Sequence, residues 1–181
     1  MDEGKIIELY NSGHQRQAMD EIVLAYSEPL YWHIRKMVVI HEDADDILQN
    51  TFIKIWQNLP TFRQDSRLFT WIYRIATNES ITFLNKKRIK ATISLSDYGN
   101  KLADTVASDN SFNGDKLQKI LHQAIAKLPP KQKAVFNLRY FDEMKYEDMA
   151  EILGTSEGAL KASYHHAYKK VLDMVKGKMD M

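Results

Sequence analysis

The feature that most constrains this chain is a pair of helical rhythms broken by one glycine, within the stretch from Leu128 to Val175. Tyr146, Met149, Ala150 and Leu153 recur at the three- and four-residue spacing that sets side chains on one helix face. Gly154 follows them, a residue type that enters a left-handed C-terminal turn without steric cost. Thr155 or Ser156 can cap the next helix, Glu157 suits the positive end of its dipole, and Leu160, Tyr164, Ala167, Val171 and Val175 make a second apolar stripe. Two helices joined by so tight a turn read as a helix-turn-helix. Opposite the second stripe stand Lys161, Ala162, His165 and Lys169, small and basic side chains suited to a nucleic-acid groove, where bulky acids would repel phosphates.

At 181 residues the chain has room for one medium domain or two small ones. Two fit better. From Ala91 to Asp115 the apolar rhythm gives way to Ser94, Ser96, Asp97, Gly99, Asn100, Ser108, Asp109, Asn110, Ser111, Asn113 and Gly114, while both flanks keep helical spacing. The stretch 91–115 reads as a flexible linker between modules at 1–90 and 116–181; an ordered surface loop of one domain is the alternative. Few alternating runs occur, so the expected fold is all-α. With no cysteine there is neither a disulfide frame nor a thiolate metal site, and the N-terminus lacks the apolar run of a signal peptide or membrane span. A cytoplasmic protein without membrane insertion is expected.

Net charge is only +1, so attraction to nucleic acid must come from local segregation of charge. Glu42, Asp43, Asp45 and Asp46 make an acidic turn. Arg63, Arg67, Arg74, Lys86, Lys87, Arg88 and Lys90 stand against only Asp65 and Glu79, and Lys161, Lys169, Lys170, Lys176 and Lys178 against only Asp173. Ahead of the first basic segment, Tyr26, Leu30, Ile34, Met37 and Val38 mark one helix face, and Ile47, Leu48, Thr51, Phe52, Ile55 and Leu59 a second. After Pro60 comes the polar run Phe62-Arg63-Gln64-Asp65-Ser66, then a helix from about Leu68 to Ile89 that mixes aromatics with cations. Phe62, Phe69, Trp71, Tyr73 and Phe83 among those cations suit bases stacking on rings while phosphates meet charge. Core packing is the competing explanation for Trp71, Ile75 and Phe83, whereas residues 62–66 cannot all be buried.

These motifs together resemble an RNA polymerase sigma factor of the compact extracytoplasmic-function (ECF) group of the sigma-70 family. The run from Asp43 to Trp56 is similar to the family's core-polymerase-binding helix. Phe62 to Ser66, with Phe69 to Asn78, resembles its minus-ten recognition loop and helix. Leu128-Pro129-Pro130, Val135 to Arg139 and Tyr146 to Gly154 resemble its fourth region. The chain departs from the pattern in having few arginines in the recognition helix, Lys145 where a Ser or Thr cap commonly stands, and Leu68 in place of a loop aromatic.

The resemblance implies a transcription initiation factor that docks on core RNA polymerase, opens the minus-ten element with region 2 and reads the minus-thirty-five element with region 4. Polymerase contacts fall on Asp43, Asp45, Asp46, Gln49 and Asn50. Phe62, Arg63, Asp65 and Ser66 would hold an extruded non-template base, with Arg74, Asn78, Lys87 and Arg88 placing adjacent bases and phosphates. Lys161, Ala162, His165 and His166 would read the minus-thirty-five duplex, Lys169 and Lys170 its phosphates. An anti-sigma factor that clamps the two regions is a further partner the resemblance implies. No cofactor, metal or catalytic centre is expected: His165 and His166 point about 100° apart on a helix, and no Cys or Gly-rich phosphate loop converges in sequence on Asp43, Asp45 and Asp46. A dimeric helix-turn-helix regulator that binds duplex without polymerase stays open as the alternative.

Overall fold

The structure, a computed structural model, describes residues 3–112 and 114–180. Positions 1, 2 and 181 of the expected modules and Asn113 of the expected linker lie outside that range. The helices are α1 (Glu3–Asn11), α2 (Gln15–Val38), α3 (His41–Asn58), α4 (Leu68–Lys90), α5 (Leu95–Ser108), α6 (Lys116–Ala126), α7 (Pro130–Tyr140), α8 (Tyr146–Leu153) and α9 (Glu157–Met179). Short 3-10 turns lie at Leu59–Thr61 and Asn110–Phe112, and the described residues contain no strand.

Periodicity explains the first module. Ala18, Ile22, Tyr26, Leu30, Ile34 and Met37 recur almost every fourth residue and are buried along α2, which runs for 24 residues and spans about 36 Å at 1.5 Å per residue. That length makes α2 the spine on which α1, α3 and α4 pack. It stops at Val39, where φ is +70° and the Ile40 N–H donates to the Val38 carbonyl at 2.9 Å. A buried β-branched residue enters such a γ-turn only with strain, so the corner into α3 is held by the packing around it.

The stretch read as a flexible linker holds a helix instead. Ser94 caps α5 by accepting from the Asp97 N–H at 3.0 Å, and Tyr98, Leu102, Ala103 and Val106 turn inward at helical spacing. Its outer face carries Ser96, Asp97, Asn100 and Asp104, and that polar composition hides the rhythm. Gly99 permits the approach of α6, because a Cβ there would lie 3.0 Å from the Lys127 backbone.

The second module closes on a smaller core of Ala124, Ile125, Leu128, Phe136, Ala167 and Val171. The two modules also touch directly: α8 lies on α4, and α7 on α2 and α4. One larger core therefore runs from Ile6 through Ile72 and Leu84 to Met149 and Leu160.

Candidate nucleic-acid interface

The C-terminal surface is built by its turn. Gly154 takes φ +63° and ψ +38°, the left-handed pair that ends α8, and Ser156 rather than Thr155 supplies the cap, accepting from the Ala159 N–H at 3.2 Å. At the other end of α8, Lys145 makes no side-chain cap bond, leaving its first N–H groups without that support. Leu160, Ala167 and Val171 are buried and Tyr164 and Val175 half-buried, which turns Lys161, Ala162, His165, His166, Lys169 and Lys170 to solvent. Lys161 is braced: its ammonium lies 5.5 Å from the Tyr146 ring centre and 3.9 Å from Glu157, and Arg139 approaches the same ring at 4.9 Å. Lys170 donates to Gln132 at 3.1 Å. The rings of His165 and His166 are 6.1 Å apart and inclined at 65°, and no group of three metal-ligating side chains occurs among the described residues.

The N-terminal loop behaves differently. Arg63, Gln64 and Asp65 are exposed, Gln64 at φ +60°, while Phe62 and Ser66 are half-buried. The Phe62 ring rests 5.0 Å from the Trp71 ring, which leaves part of its surface open for a further planar group. Trp71, Ile75 and Phe83 are half-buried, between the two explanations offered for them. Leu68 is buried and serves the core rather than the loop. The first turn of α4 is anchored from α1, where a Glu3 oxygen accepts from the Phe69 N–H at 3.3 Å. Of the α4 candidates, Asn78 is exposed and Arg74 half-buried. Lys87 is taken up in an ion pair with Asp43, and the buried Nε of Arg88 has no partner among the described residues.

That Lys87 pair divides the acidic helix. Asp43 turns toward α4 and Asp45 pairs with His41 at 3.2 Å, whereas Asp46, Gln49 and Asn50 face solvent. The same face continues at helical spacing with Ile53, 52 % exposed, and Trp56, 46 % exposed. Two large apolar side chains left open beside a polar strip have the composition of a protein-docking surface. Neither stands out by residue type, since an isoleucine and a tryptophan suit a core equally well. The signal that finds them is spacing: Ile53 and Trp56 follow Gln49 by four and seven residues, which sets all three on one helix face.

Between the modules a cavity of about 570 Å³ is lined by Asn78, Ile81 and Thr82 of α4 and by Val135, Gly154 and Ala159 of the second module, among others. No described helix is long and apolar enough to cross a membrane.

Comparison with known proteins agrees with this geometry. Residues 22–89 match the family model for sigma-70 region 2, and residues 118–171 the model for sigma-70 region 4. The chain is 31 % identical over 169 residues to the ECF RNA polymerase sigma factor SigW of Bacillus subtilis, covering 89 % of this chain and 90 % of that one. Among solved structures it is similar to the sigma factor RpoE in complex with the anti-sigma factor NepR from Bartonella quintana, with a TM-score of 0.66, 20 % identity, and coverage of 87 % of this chain and 96 % of that one. A second is CnrH in complex with the cytosolic domain of CnrY, with a TM-score of 0.70, 20 % identity, and coverage of 97 % and 99 %.

Proposed function

The chain belongs to the sigma-70 family of RNA polymerase sigma factors, in its extracytoplasmic-function group, and from that premise we propose how its surfaces divide the work of starting transcription. It binds core RNA polymerase and directs it to promoters. Region 2, residues 1–90, docks through Asp46, Gln49 and Asn50, to which Ile53 and Trp56 add apolar area. Phe62, Arg63, Asp65 and Ser66 hold a base of the opened minus-ten strand, with Arg74 and Asn78 along the helix behind them. Region 4, residues 116–181, reads the minus-thirty-five duplex with Lys161, Ala162, His165 and His166 and meets phosphates with Lys169 and Lys170.

The observation that carries this reading is the placement of an open aromatic and basic loop and an open basic helix face on separate modules of one chain. A dimeric duplex-binding regulator accounts for the second surface and leaves the first without a task. Energetics explain the need for polymerase. Unstacking duplex costs about 1.4 kcal/mol per step and stacking one flipped base returns about 1 to 3 kcal/mol, so a single captured base cannot hold a bubble open. The protein works as an initiation factor with no chemistry of its own, in the cytoplasm, and an anti-sigma factor that covers both regions is its natural antagonist.

Two substitutions separate the roles. With holoenzyme on a cognate promoter, Phe62→Ala is expected to lower permanganate-detected opening about tenfold, the loss of roughly 1 to 3 kcal/mol of stacking, and to leave polymerase affinity unchanged. Asp46→Lys is expected to lower polymerase affinity with the fold intact. Equal loss of opening and binding in Phe62→Ala makes that ring structural, and unchanged affinity in Asp46→Lys removes the docking assignment.

A further inference from the structure

The reading face of α9 holds no arginine, and its foremost cation is Lys161. A guanidinium is a planar fork whose hydrogen bonds have fixed directions, whereas an ammonium is a point charge on a flexible stem. A lysine that swings freely meets any acceptor in reach, and it loses its rotamer freedom only when it binds. Such a side chain discriminates poorly between bases. Lys161 is held, however. Its ammonium lies 5.5 Å from the centre of the Tyr146 ring, which the first residue of α8 carries across to α9. Glu157, one turn earlier on α9, stands 3.9 Å away, near enough to attract the charge and too far for a hydrogen bond.

The ring is itself anchored. Tyr146 is half-buried against the core, and Arg139 of α7 places its guanidinium 4.9 Å from the same ring centre. Arg139 also donates through Nη1 to the carbonyl of buried Met144 at 2.9 Å, so it spans the turn between α7 and α8 and fixes the chain two residues before the ring. Three elements thus meet at one aromatic face. What the ring offers differs from what an acid offers. A carboxylate in hydrogen-bond contact takes up the N–H donors of an ammonium, whereas a ring face attracts the charge and leaves donors for a base acceptor. At an exposed site this attraction favours one direction about two- to fivefold, enough to bias a side chain otherwise spread over several rotamers.

We propose that Tyr146 is a positioning residue for base reading: its ring aims Lys161 at one base of the minus-thirty-five duplex and gives a lysine the directional selectivity that an arginine carries in its own planar group. This rests on the promoter-directing reading above and adds a determinant of its specificity. Tyr146 acts through Lys161 rather than on the base. Loss of the ring therefore relaxes preference only at the position Lys161 reads, and loss of ring and lysine together costs no more there than loss of the lysine. The hydroxyl is dispensable, because the attraction comes from the ring face.

Holoenzyme assembled with the full-length chain tests this by competition among promoter fragments that vary only in the minus-thirty-five element. Tyr146→Leu is expected to lower discrimination about two- to fivefold at the position that Lys161→Ala relaxes and to leave the other positions unchanged. Tyr146→Phe should keep the wild-type preference. Adding Tyr146→Leu to Lys161→Ala should change nothing further, the mark of two coupled residues. Should Tyr146→Leu fail to fold, phenylalanine carrying one, two or three ring fluorines at position 146 keeps the shape while draining negative charge from the ring face, and discrimination should fall with each fluorine. A flat fluorine series overturns the proposal, as do equal losses in Tyr146→Phe and Tyr146→Leu, losses spread over every position, or a Tyr146→Leu effect that persists in full without Lys161. A wild-type holoenzyme that does not discriminate among the fragments breaks the minus-thirty-five reading itself.

Discussion

Helices α4 and α9 are each 23 residues long, each carries cations, and each is proposed to meet DNA, yet they are held in opposite ways. α9 buries a single stripe at Leu160, Ala167 and Val171 and leaves all six of its proposed contact residues in solvent. α4 is packed on several sides, burying Leu68, Thr70, Ile72, Tyr73, Ala76, Thr77, Ser80 and Leu84, and three of its four proposed contact residues, Arg74, Lys87 and Arg88, are half-buried. The packing of α7 and α8 along α4 sharpens the contrast.

The largest effect that separates the two concerns pH. Burial alone drives the Lys133 ammonium down to about 7 from 10.5. Tyr98, which lines the same small cavity, is pushed up to about 12, chiefly by burial and then by Asp43, and stays neutral. With the Lys133 value lowered by burial in the folded chain, the unfolded chain binds more protons between about pH 7 and 10.5. Stability should therefore rise with pH through that window, by up to about 1.4 kcal/mol per unit. Urea denaturation at pH 7, 8 and 9 checks this, and Lys133→Met should flatten the response. A wild-type chain whose stability is insensitive to pH would contradict the burial of the Lys133 ammonium.

Next in size is the reading face of α9. Lys161→Ala is expected to cost about 1 to 3 kcal/mol and to relax preference at one position of the minus-thirty-five element. Lys170→Ala should weaken all sequences alike and reduce the slope of log affinity against log salt by about 0.9. Competition binding with a duplex library, repeated at three salt concentrations, distinguishes them. A smaller contrast lies in the caps. Ser156→Ala should lower stability by about 1 kcal/mol, whereas Lys145→Ser should raise it by a few tenths to 1 kcal/mol, because α9 is capped and α8 is not. Urea denaturation of both variants measures the difference, and a stabilised Ser156→Ala chain would contradict the cap assignment.

The same contrast governs what is legible in the sequence. Around α9 the signals are local: Gly154 for the turn, a cap residue two positions on, and apolar residues at fixed spacing with cations opposite. Around α4 the decisive facts are tertiary. Nothing local says that Lys87 pairs with Asp43, 44 residues away, or that Thr77 and Ser80 are buried polar groups rather than surface ones. The interval 91–115 misleads because the inward residues of α5 are interleaved with Ser, Asp, Asn and Gly, and its glycine serves close helix packing rather than flexibility. His33 and Arg35, set among Ile34, Met37 and Val38, are the one hint that the apolar end of α2 meets charge. Their acceptors lie in the distant turns at Asp142 and Asp109, beyond the reach of any periodicity.

The central claim, that this chain gives core RNA polymerase its choice of start sites, is tested most directly by run-off transcription with purified core enzyme over a promoter library, with and without the protein. The expected result is a restricted set of transcripts that appears only when the chain is present and shares common elements near minus ten and minus thirty-five. The same transcripts from core enzyme alone, or no change in start sites at saturating chain, would contradict it.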